Sequence, residues 1–478
     1  MPGFTPGRRW QPAYYAFHND SIPKKILATF ERWVKGPLFG CRMCGNCLLQ
    51  ETAFICPMEC PKGLRNGPCG GSTGEHCYVD PTRPCIWYKI YERAEKLGRT
   101  DELLEVLPPL DWEKVGTEQW WDLFEIWKKK GGLKPTIEAV KSKDRMVIFE
   151  HFMEEYRQPD WWQGDDQPHP APAHEPVSSL EEKLVNGQFV VTAEVAPPIS
   201  ATAVDLVKKV TMLKEYVDAV NFTDNPSATS RMSPLASSTL CLQNGVEPIM
   251  QIAARDYNRM GVQSLVLGAA ALGIRNVLCL TGDHARLGPE PHSRMDIWDL
   301  DSIQMIWLLR RMRDEGKFLD QREIKTPPSL FIGAASSPNS SEQRFQVIRE
   351  TKKVNAGAQY FQTNLIYDVD SFKTYLDMLD KAGLLGRAYI LAGVTPIRSV
   401  KAAYMMNNVP GVKIPTSIIE RMEKSADPKE EGIQIGLELI EQIKDLPING
   451  IHFMAVGWES IVPRMMEESG LQPKRMAK

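Results

Sequence analysis

Eight of the ten cysteines in this 478-residue chain fall between Cys41 and Cys85, spaced Cys41-x2-Cys44-x2-Cys47-x8-Cys56-x3-Cys60-x8-Cys69-x7-Cys77-x7-Cys85. Three cysteines at successive i, i+3 steps can converge on one cubane, and a fourth from a remote loop beside a proline, such as Cys56 before Pro57 or Cys60 before Pro61, can complete it. The first residues, Met1 to Asp20, carry no apolar run of the kind that directs export, so the reading is a cytoplasmic chain. Reducing conditions there favour metal or cluster ligation over disulfides. Zinc stays open as an alternative, although only the first part of the run has the paired C-x2-C form that zinc sites favour. Eight thiolates can hold two four-iron clusters, or one cluster and a zinc, and spacing does not partition them. Glycines 63, 67, 70, 71 and 74 and prolines 57, 61 and 68 suit a backbone folded tightly around such a site. His76 reads as exposed or as hydrogen-bonding near the ligands, and Cys241 and Cys279 as small buried hydrophobes.

Three regions position this chemistry. Residues 1–155 form the cysteine-rich module, whose second half has helical stretches with Trp120, Trp121, Phe124 and Trp127 on one packing face. Residues 156–180, rich in Pro and polar residues, read as a linker, with His169 and His174 solvated. Residues 181–478 alternate apolar runs with amphipathic stretches. Strands are predicted at Phe189–Val195, Val217–Phe222, Pro248–Ala253, Asn276–Leu280, Ser329–Ala334, Gln359–Thr363, Ala388–Ala392 and Gly450–Met454. Eight strand–helix alternations over about 300 residues are the signature of an α/β (β/α)8 TIM barrel, with an open doubly wound sheet as the second choice. Chemistry in such barrels sits where strands end. Those ends supply Glu194, Thr223, Asp224, Gln251, Thr281, Asp283, Ser336, Asn364 and Thr395.

Composition excludes several classes. Lys+Arg 57 against Asp+Glu 60 gives a net charge of −3, without the basic excess of a phosphate-backbone binder, so nucleic acid is not an expected partner. The most apolar stretch, Leu265 to Leu280, is broken by Gly268, Gly273 and Arg275, so no membrane span is expected.

A set of collinear motifs in the barrel region resembles the methylenetetrahydrofolate reductases. Glu194 lies shortly before Pro197-Pro198 on the first strand. Val220-Asn-Phe-Thr223-Asp-Asn225 follows at the second, Leu280-Thr-Gly282-Asp283 at the fourth, Lys352-Lys-Val-Asn-Ala-Gly-Ala358 in the fifth helix, Gln362-Thr-Asn364 with Asp368 at the sixth, and Ile451-His452-Phe453 at the eighth. The resemblance covers roughly residues 185–470, and its collinearity, more than any one motif, carries it. The cysteine run is similar to a ferredoxin-type half-motif and to the iron-sulfur or zinc module that accompanies these reductases in acetogens and other anaerobes.

The resemblance implies FMN in the barrel mouth, [4Fe-4S] clusters (or zinc) on the eight cysteines, and reduction of 5,10-methylenetetrahydrofolate to 5-methyltetrahydrofolate in one-carbon metabolism. It implies Glu194 as the acid that protonates N10, a strand-end carboxyl whose pKa burial can raise, and Asp283 as the carboxylate beside the flavin. Arg349, Lys352 and Lys353 are implied at the FMN phosphate; Thr223, Gln251 and Thr281 at the flavin; Gln362 and Asn364 at the pterin. Gln251 stands where many members have His, Asn364 where many have Gln, and Ala335-Ser-Ser-Pro338 where many have a Tyr-Pro-Glu-like loop. These departures lie on the pterin or nicotinamide face. They point away from direct NAD(P)H use and toward a protein donor, such as ferredoxin or an iron-sulfur or flavoprotein complex, feeding the cluster. Homo- or hetero-oligomers fit equally. The alternatives are a pterin-dependent methyltransferase barrel, which would purify without flavin, and a non-catalytic electron-transfer or scaffold subunit, which would turn over no folate alone.

Overall fold

A computed structural model describes residues 22–118, 120–129, 131–142, 158–293, 298–409, 411–455 and 457–471. The export-signal reading of residues 1–20, the end of the expected cysteine module at 143–155, and the first two residues of the expected linker, 156–157, lie outside them. Two compact units emerge, and they do not follow the contiguous boundaries expected from composition. The first comprises the described parts of Met1–Arg65, Ile86–Leu103 and Pro108–Gln163; the second comprises Asn66–Cys85, Leu104–Leu107 and the described residues from Gly164 onward. Side-chain bonding at the crossing points explains the division. Arg65 donates from Nε to the Pro108 carbonyl (2.8 Å) and from Nη2 to the Asn46 carbonyl (2.8 Å), inside the first unit. The next residue, Asn66, bonds Leu107 and Asp301 inside the second.

In the first unit the helix Ile86–Lys96 turns Trp87, Ile90, Tyr91 and Ala94 to one buried face, the i, i+3, i+4, i+7 pattern of an amphipathic helix. Trp87 Nε1 satisfies its buried N–H on the Leu64 carbonyl at 3.0 Å.

The second unit contains β1 (Val190–Val195), β2 (Ala219–Phe222), β3 (Pro248–Ala253), β4 (Asn276–Leu280), β5 (Phe331–Ser336), β6 (Tyr360–Leu365), β7 (Tyr389–Val394) and β8 (Gly450–Phe453). All pair in parallel in sequence order and β8 closes on β1, with Thr192 opposite His452. The eight-stranded barrel expected from the sequence is therefore present, each strand within a residue or two of its predicted bounds. Parallel neighbours require crossovers, and helices such as Val204–Leu213, Arg259–Ala271, Gln343–Asn355 and Val369–Lys381 provide them.

Alternation along each strand sorts the barrel interior into layers. Val190, Ala219, Ile249, Leu278, Phe331, Tyr360 and Leu391 form an apolar floor, closed from outside by Leu180 and Leu184 of the helix Ser179–Val185. Glu247 holds that helix by accepting from the Ser179 and Leu180 N–H groups (2.9 and 3.0 Å), a carboxylate at the positive end of the helix dipole. The stretch from Gly164 to Val177, part of the expected linker, lies against this unit. His169 meets the Trp307 ring edge-on at 4.9 Å, and His174 bonds Glu181 at 3.0 Å, so neither is simply solvated. Among the described residues no helix is long and apolar enough to cross a membrane.

Gly333 on β5 makes room for the Tyr360 ring, which stacks on Phe331 and donates its O–H to the Val277 carbonyl at 3.0 Å. A Cβ at Gly333 would stand 2.2 Å from that ring. Gly333→Ala should therefore lower the unfolding free energy by about 1–3 kcal/mol, the range for overpacking a close-packed interior. Gly386→Ala, where a Cβ meets nothing within 4 Å, should stay within about 0.5 kcal/mol of wild type. Equal urea midpoints for the two variants would show that the floor is not packed this way.

Candidate active site at the barrel mouth

Above the floor, β1, β2, β6 and β8 turn polar side chains inward, and out of water these must pair with one another. Asn221 and Gln362 exchange amide bonds across the barrel (2.5 and 3.0 Å), and Gln362 also donates to Thr192 Oγ1 at 3.3 Å. Thr192 Oγ1 bonds His452 Nδ1 at 2.9 Å, and His452 Nε2 comes within 3.9 Å of Glu194 Oε2. Gln251 of β3 donates to the same Glu194 oxygen at 3.1 Å. Glu194 thus ends a polar chain that starts deep in the barrel, and its side chain retains 15% exposure. Of the residues expected here, Glu194 and Gln251 come together; Gln362 is committed below them to Asn221 and Thr192. Thr281 turns away to bond Ser302 at 3.0 Å.

Beyond β2 the chain makes a strained loop. Asn225, Ser227 and Ala228 have φ of 44°, 53° and 53°, a left-handed conformation that non-glycine residues adopt sparingly and that concentrates at functional sites. The loop presents the Ser227 N–H to Asp283 Oδ2 at 3.1 Å. Arg255 donates to the Asp283 and Asn225 carbonyls (3.0 and 3.1 Å), tying the ends of β2, β3 and β4 together. Tyr78, from the segment Asn66–Cys85, has its phenol held well above the ordinary range, by burial first and by the charge of the Asp283 carboxylate next. Burial likewise raises Asp224 to about 6, with Asp256 adding to the shift while Arg255 and the Ala253 N–H (2.9 Å) oppose it. Nothing in the sequence pattern marks Tyr78 as part of this site, since the chain distance between it and Asp283 is closed only by the fold. Asp224 was visible at a strand end, and its burial was not.

Thr223, buried at the end of β2, has a hydroxyl oxygen with no hydrogen-bond partner. An orphaned buried hydroxyl at the end of β2 fits the edge of a planar, hydrogen-bonding cofactor such as a flavin. The basic residues expected at its phosphate are placed differently. Lys353 donates to the Ala335 carbonyl (2.5 Å) and to Glu350 (2.6 Å), and burial lowers it to about 8. Lys352 is 1% exposed and lowered to about 7 by burial, which nearby Asp301 and Glu105 oppose. Both ammonium groups thus lie inside the protein, and that of Lys353 is bonded there. Arg349 lies near the segment Asn66–Cys85, its Nη1 4.0 Å from where a Cβ on Gly70 would stand. Asn364 sits at the rim beside Ser337, at 3.5 Å, and Gly411.

The cysteines divide. Cys41, Cys44, Cys47 and Cys56 line one pocket of the first unit, with Lys35, Glu31 and Arg42. Burial, then neighbouring cysteines, raise Cys47 to about 11 and Cys56 to about 12. Burial alone would lower Lys35; Cys47 and Glu31 carry it above its ordinary value. Four thiols gathered around one pocket form the donor set a thiophilic cation would deprotonate and hold, so the chemistry of the set fits a cluster or zinc. Among the described residues, however, no three Cys, His, Asp or Glu side chains are arranged to hold a metal ion as they stand. Cys60 does not line this pocket, Cys69 bonds Ser72 Oγ at 3.2 Å, and Cys69, Cys77 and Cys85 belong to the barrel unit. The eight expected ligands, whose partition the spacing left open, thus divide between the two units.

Residues 179–470 match the family described as methylenetetrahydrofolate reductase, and residues 23–113 match one described as methylene-tetrahydrofolate reductase C terminal, here N-terminal to the barrel. The chain is 23% identical over 327 residues to methylenetetrahydrofolate reductase 2 of Schizosaccharomyces pombe, covering 63% of this chain and 48% of that one. It is 20% identical over 297 residues to 5,10-methylenetetrahydrofolate reductase of Salmonella typhimurium, covering 60% of this chain and 93% of that one. The chain spans about half the length of the Schizosaccharomyces and Oryza relatives it matches. A solved structure described as an uncharacterized protein from Clostridium thermocellum binding two copies of 5-methyl-5,6,7,8-tetrahydrofolic acid aligns at 15% identity and a TM-score of 0.46, covering 61% of this chain and 100% of that one.

The raised Asp224 predicts a pH dependence. Its folded pKa of about 6 exceeds the ordinary 3.8, so between those values the folded state binds more protons than the unfolded chain. Stability should fall as pH rises through that window, by up to about 3 kcal/mol, and stay lower above it. Asp224→Asn, which can still accept from Ala253, should flatten the urea-derived stability between pH 4 and 6.5. An unchanged slope would place the effect elsewhere.

Proposed function

The chain belongs to the methylenetetrahydrofolate reductase family, and on that premise we propose that it reduces 5,10-methylenetetrahydrofolate to 5-methyltetrahydrofolate at the barrel mouth, with electrons entering through its cysteine unit. The observation that carries this reading is the Glu194 carboxyl, held by Gln251 at the inner edge of the mouth with Asp283 at the end of β4. Opening the imidazolidine ring requires a proton on N10, and a single carboxyl at the end of a desolvated polar chain is suited to deliver it. Gln251 fixes the rotamer of Glu194 by donating to one oxygen, which leaves the other to face the substrate. The cation that ring opening creates is stabilised by Asp283, whose orientation is set by the Ser227 N–H. FMN bound at the mouth would supply the hydride; Thr223 would meet its ring edge and Arg349 its phosphate. Lys353, already bonded to the Ala335 carbonyl and to Glu350, ties the helix Gln343–Asn355 to β5 instead, and Lys352 is buried on the same helix.

A [4Fe-4S] cluster on Cys41, Cys44, Cys47 and Cys56 would supply one-electron relay chemistry. Lys35 beside the thiols lowers the cost of gathering negative charge there. The donor proposed is a ferredoxin or another iron-sulfur or flavoprotein partner.

Anaerobic oxidation of 5-methyltetrahydrofolate by the FMN-loaded chain should reduce a viologen dye and not NAD; no turnover with either acceptor would refute the reductase reading. Glu194→Gln should lower this turnover by about 10²–10⁴-fold, the range for a general acid, while dithionite still reduces the bound flavin at the wild-type rate. Parallel loss of both would remove Glu194 from the proton role. After anaerobic reconstitution, Cys44→Ser should lose the iron, acid-labile sulfide and visible absorbance that Cys85→Ser keeps. The reverse pattern would move the cluster to the other cysteines.

A further inference from the structure

A guanidinium holds its N–H groups in one rigid plane, and a buried one must find acceptors for them there. Arg255, just past β3, has a side chain only 7% exposed. Its fork grips the neighbouring Asp256, with Nε on Oδ1 at 2.7 Å and Nη2 on Oδ2 at 2.5 Å. Its other donors turn to main-chain carbonyls of two further loops, Nη1 to Asp283 at 3.0 Å and Nη2 to Asn225 at 3.1 Å. The Arg255 backbone N–H donates to the Thr281 carbonyl at 3.2 Å, so one residue clasps the segment 281–283 at both ends. Gly282 lies between, at a φ of +83°, where a Cβ would stand 3.2 Å from that of Arg255. Asn225 opens the strained loop after β2. Its Nδ2 donates to Asp256 Oδ2 (3.1 Å), its Oδ1 accepts from the Arg231 N–H (3.0 Å), and two residues on the Ser227 N–H meets Asp283 Oδ2 (3.1 Å).

We propose that Arg255 is a positioning residue of the reductase site, fixing both halves of the contact that orients the Asp283 carboxylate: the main chain that carries it and the loop that offers it the Ser227 N–H. This rests on the function proposed above. A carboxylate is placed no better than the two backbones that its hydrogen bond joins. One of those backbones is costly to form, since Asn225, Ser227 and Ala228 are all left-handed, and such a loop persists only where neighbouring bonds over-determine it. Asp256 fixes the plane of the guanidinium, and the guanidinium passes that plane on to the carbonyls of Asn225 and Asp283 together. A lysine, a compact charge on a flexible stem, cannot grip both Asp256 oxygens and still span two carbonyls. Arg255 acts through Asp283 and has no step of its own.

The test is Arg255→Lys in the full chain, which keeps the charge and removes the planar fork. Amide deuterium exchange in peptides spanning Asp224–Ser230, measured without FMN, should become faster, while exchange in β1 stays at the wild-type rate. In the FMN-loaded chain kcat should fall about tenfold or more, as displacement of a group at the reacting centre does, with KM for the folate within about twofold of wild type. The midpoint potential of the bound flavin should become less negative, because a displaced carboxylate opposes charge on the reduced ring less. In an Asp283→Asn background Arg255→Lys should change neither kcat nor potential further. Asp256→Asn, which turns one acceptor of the fork into a donor and leaves Arg255 in place, should give the same pattern, and it decides the matter if Arg255→Lys does not fold. Wild-type exchange, kcat and potential in these variants, or effects that simply add in the Asp283→Asn background, overturn the proposal. So does a loss confined to KM, or exchange raised equally over the whole barrel, which would make Arg255 a brace of the fold alone. A wild-type chain that binds FMN but turns over no folate refutes the function reading, and the exchange and the flavin potential then decide for Arg255 by themselves.

Discussion

A closed barrel takes its inward side chains out of water, and every polar group among them must then be satisfied from inside. Thr192, Asn221, Gln362 and His452 meet that demand by bonding across the barrel, from strands that are neighbours in some cases and opposite in others. The consequence is directional. Each amide has its donors and acceptors committed by its partner below, so the chain of bonds reaches the rim with one orientation, and Glu194 receives it beside His452 and from Gln251. The acid at the mouth is oriented by the layer beneath it as much as by its own strand.

The same demand governs how the segment 66–85 is held. Asn66 is 1% exposed, and a buried amide left unpaired would cost roughly 1–3 kcal/mol. Its bonds to Leu107 and Asp301 meet that requirement only when both short segments, 66–85 and 104–107, lie against the barrel unit. Gln304, in a capping box with Asp301, donates to the Leu107 carbonyl as well (3.1 Å), so the helix terminus and these segments share one network. This network fixes where the segment 66–85 begins on the barrel unit.

The strands were legible because a doubly covered parallel strand writes itself as a short apolar run between turn residues, and all eight did so. Glu194, Thr223 and Asp283 were legible as strand-end polar residues, since barrels place their loops there. The basic residues of the fifth helix were not. Lys352 and Lys353 were expected at the FMN phosphate, yet Glu350, three residues before Lys353, pairs with its ammonium in the interior, where the Lys353 side chain is 2% exposed. The i, i+3 spacing was the available signal, but it does not say which face the helix buries. The linker reading missed for a related reason: Pro-rich sequence suppresses helix and sheet without preventing extended chain from packing, as His169 does on Trp307.

Cysteine spacing is the instructive case, because one uninterrupted run supports two unlike environments. Cys41, Cys44, Cys47 and Cys56 crowd into one pocket, where burial, with the charge of neighbouring cysteines, raises the Cys47 and Cys56 thiols. Such crowding is unfavourable for thiolates alone and becomes favourable once a cation balances them, with Lys35 contributing only part of that balance. Cys69 instead meets the Ser72 hydroxyl that also receives the Tyr78 N–H, and so helps shape the segment 66–85 within the barrel unit. A regular interval between cysteines fixes how far the backbone can reach between them; which of them share a site depends on where the chain crosses from one unit to the other. That crossing, between Arg65 and Asn66, is set by two polar side chains that no cysteine motif includes.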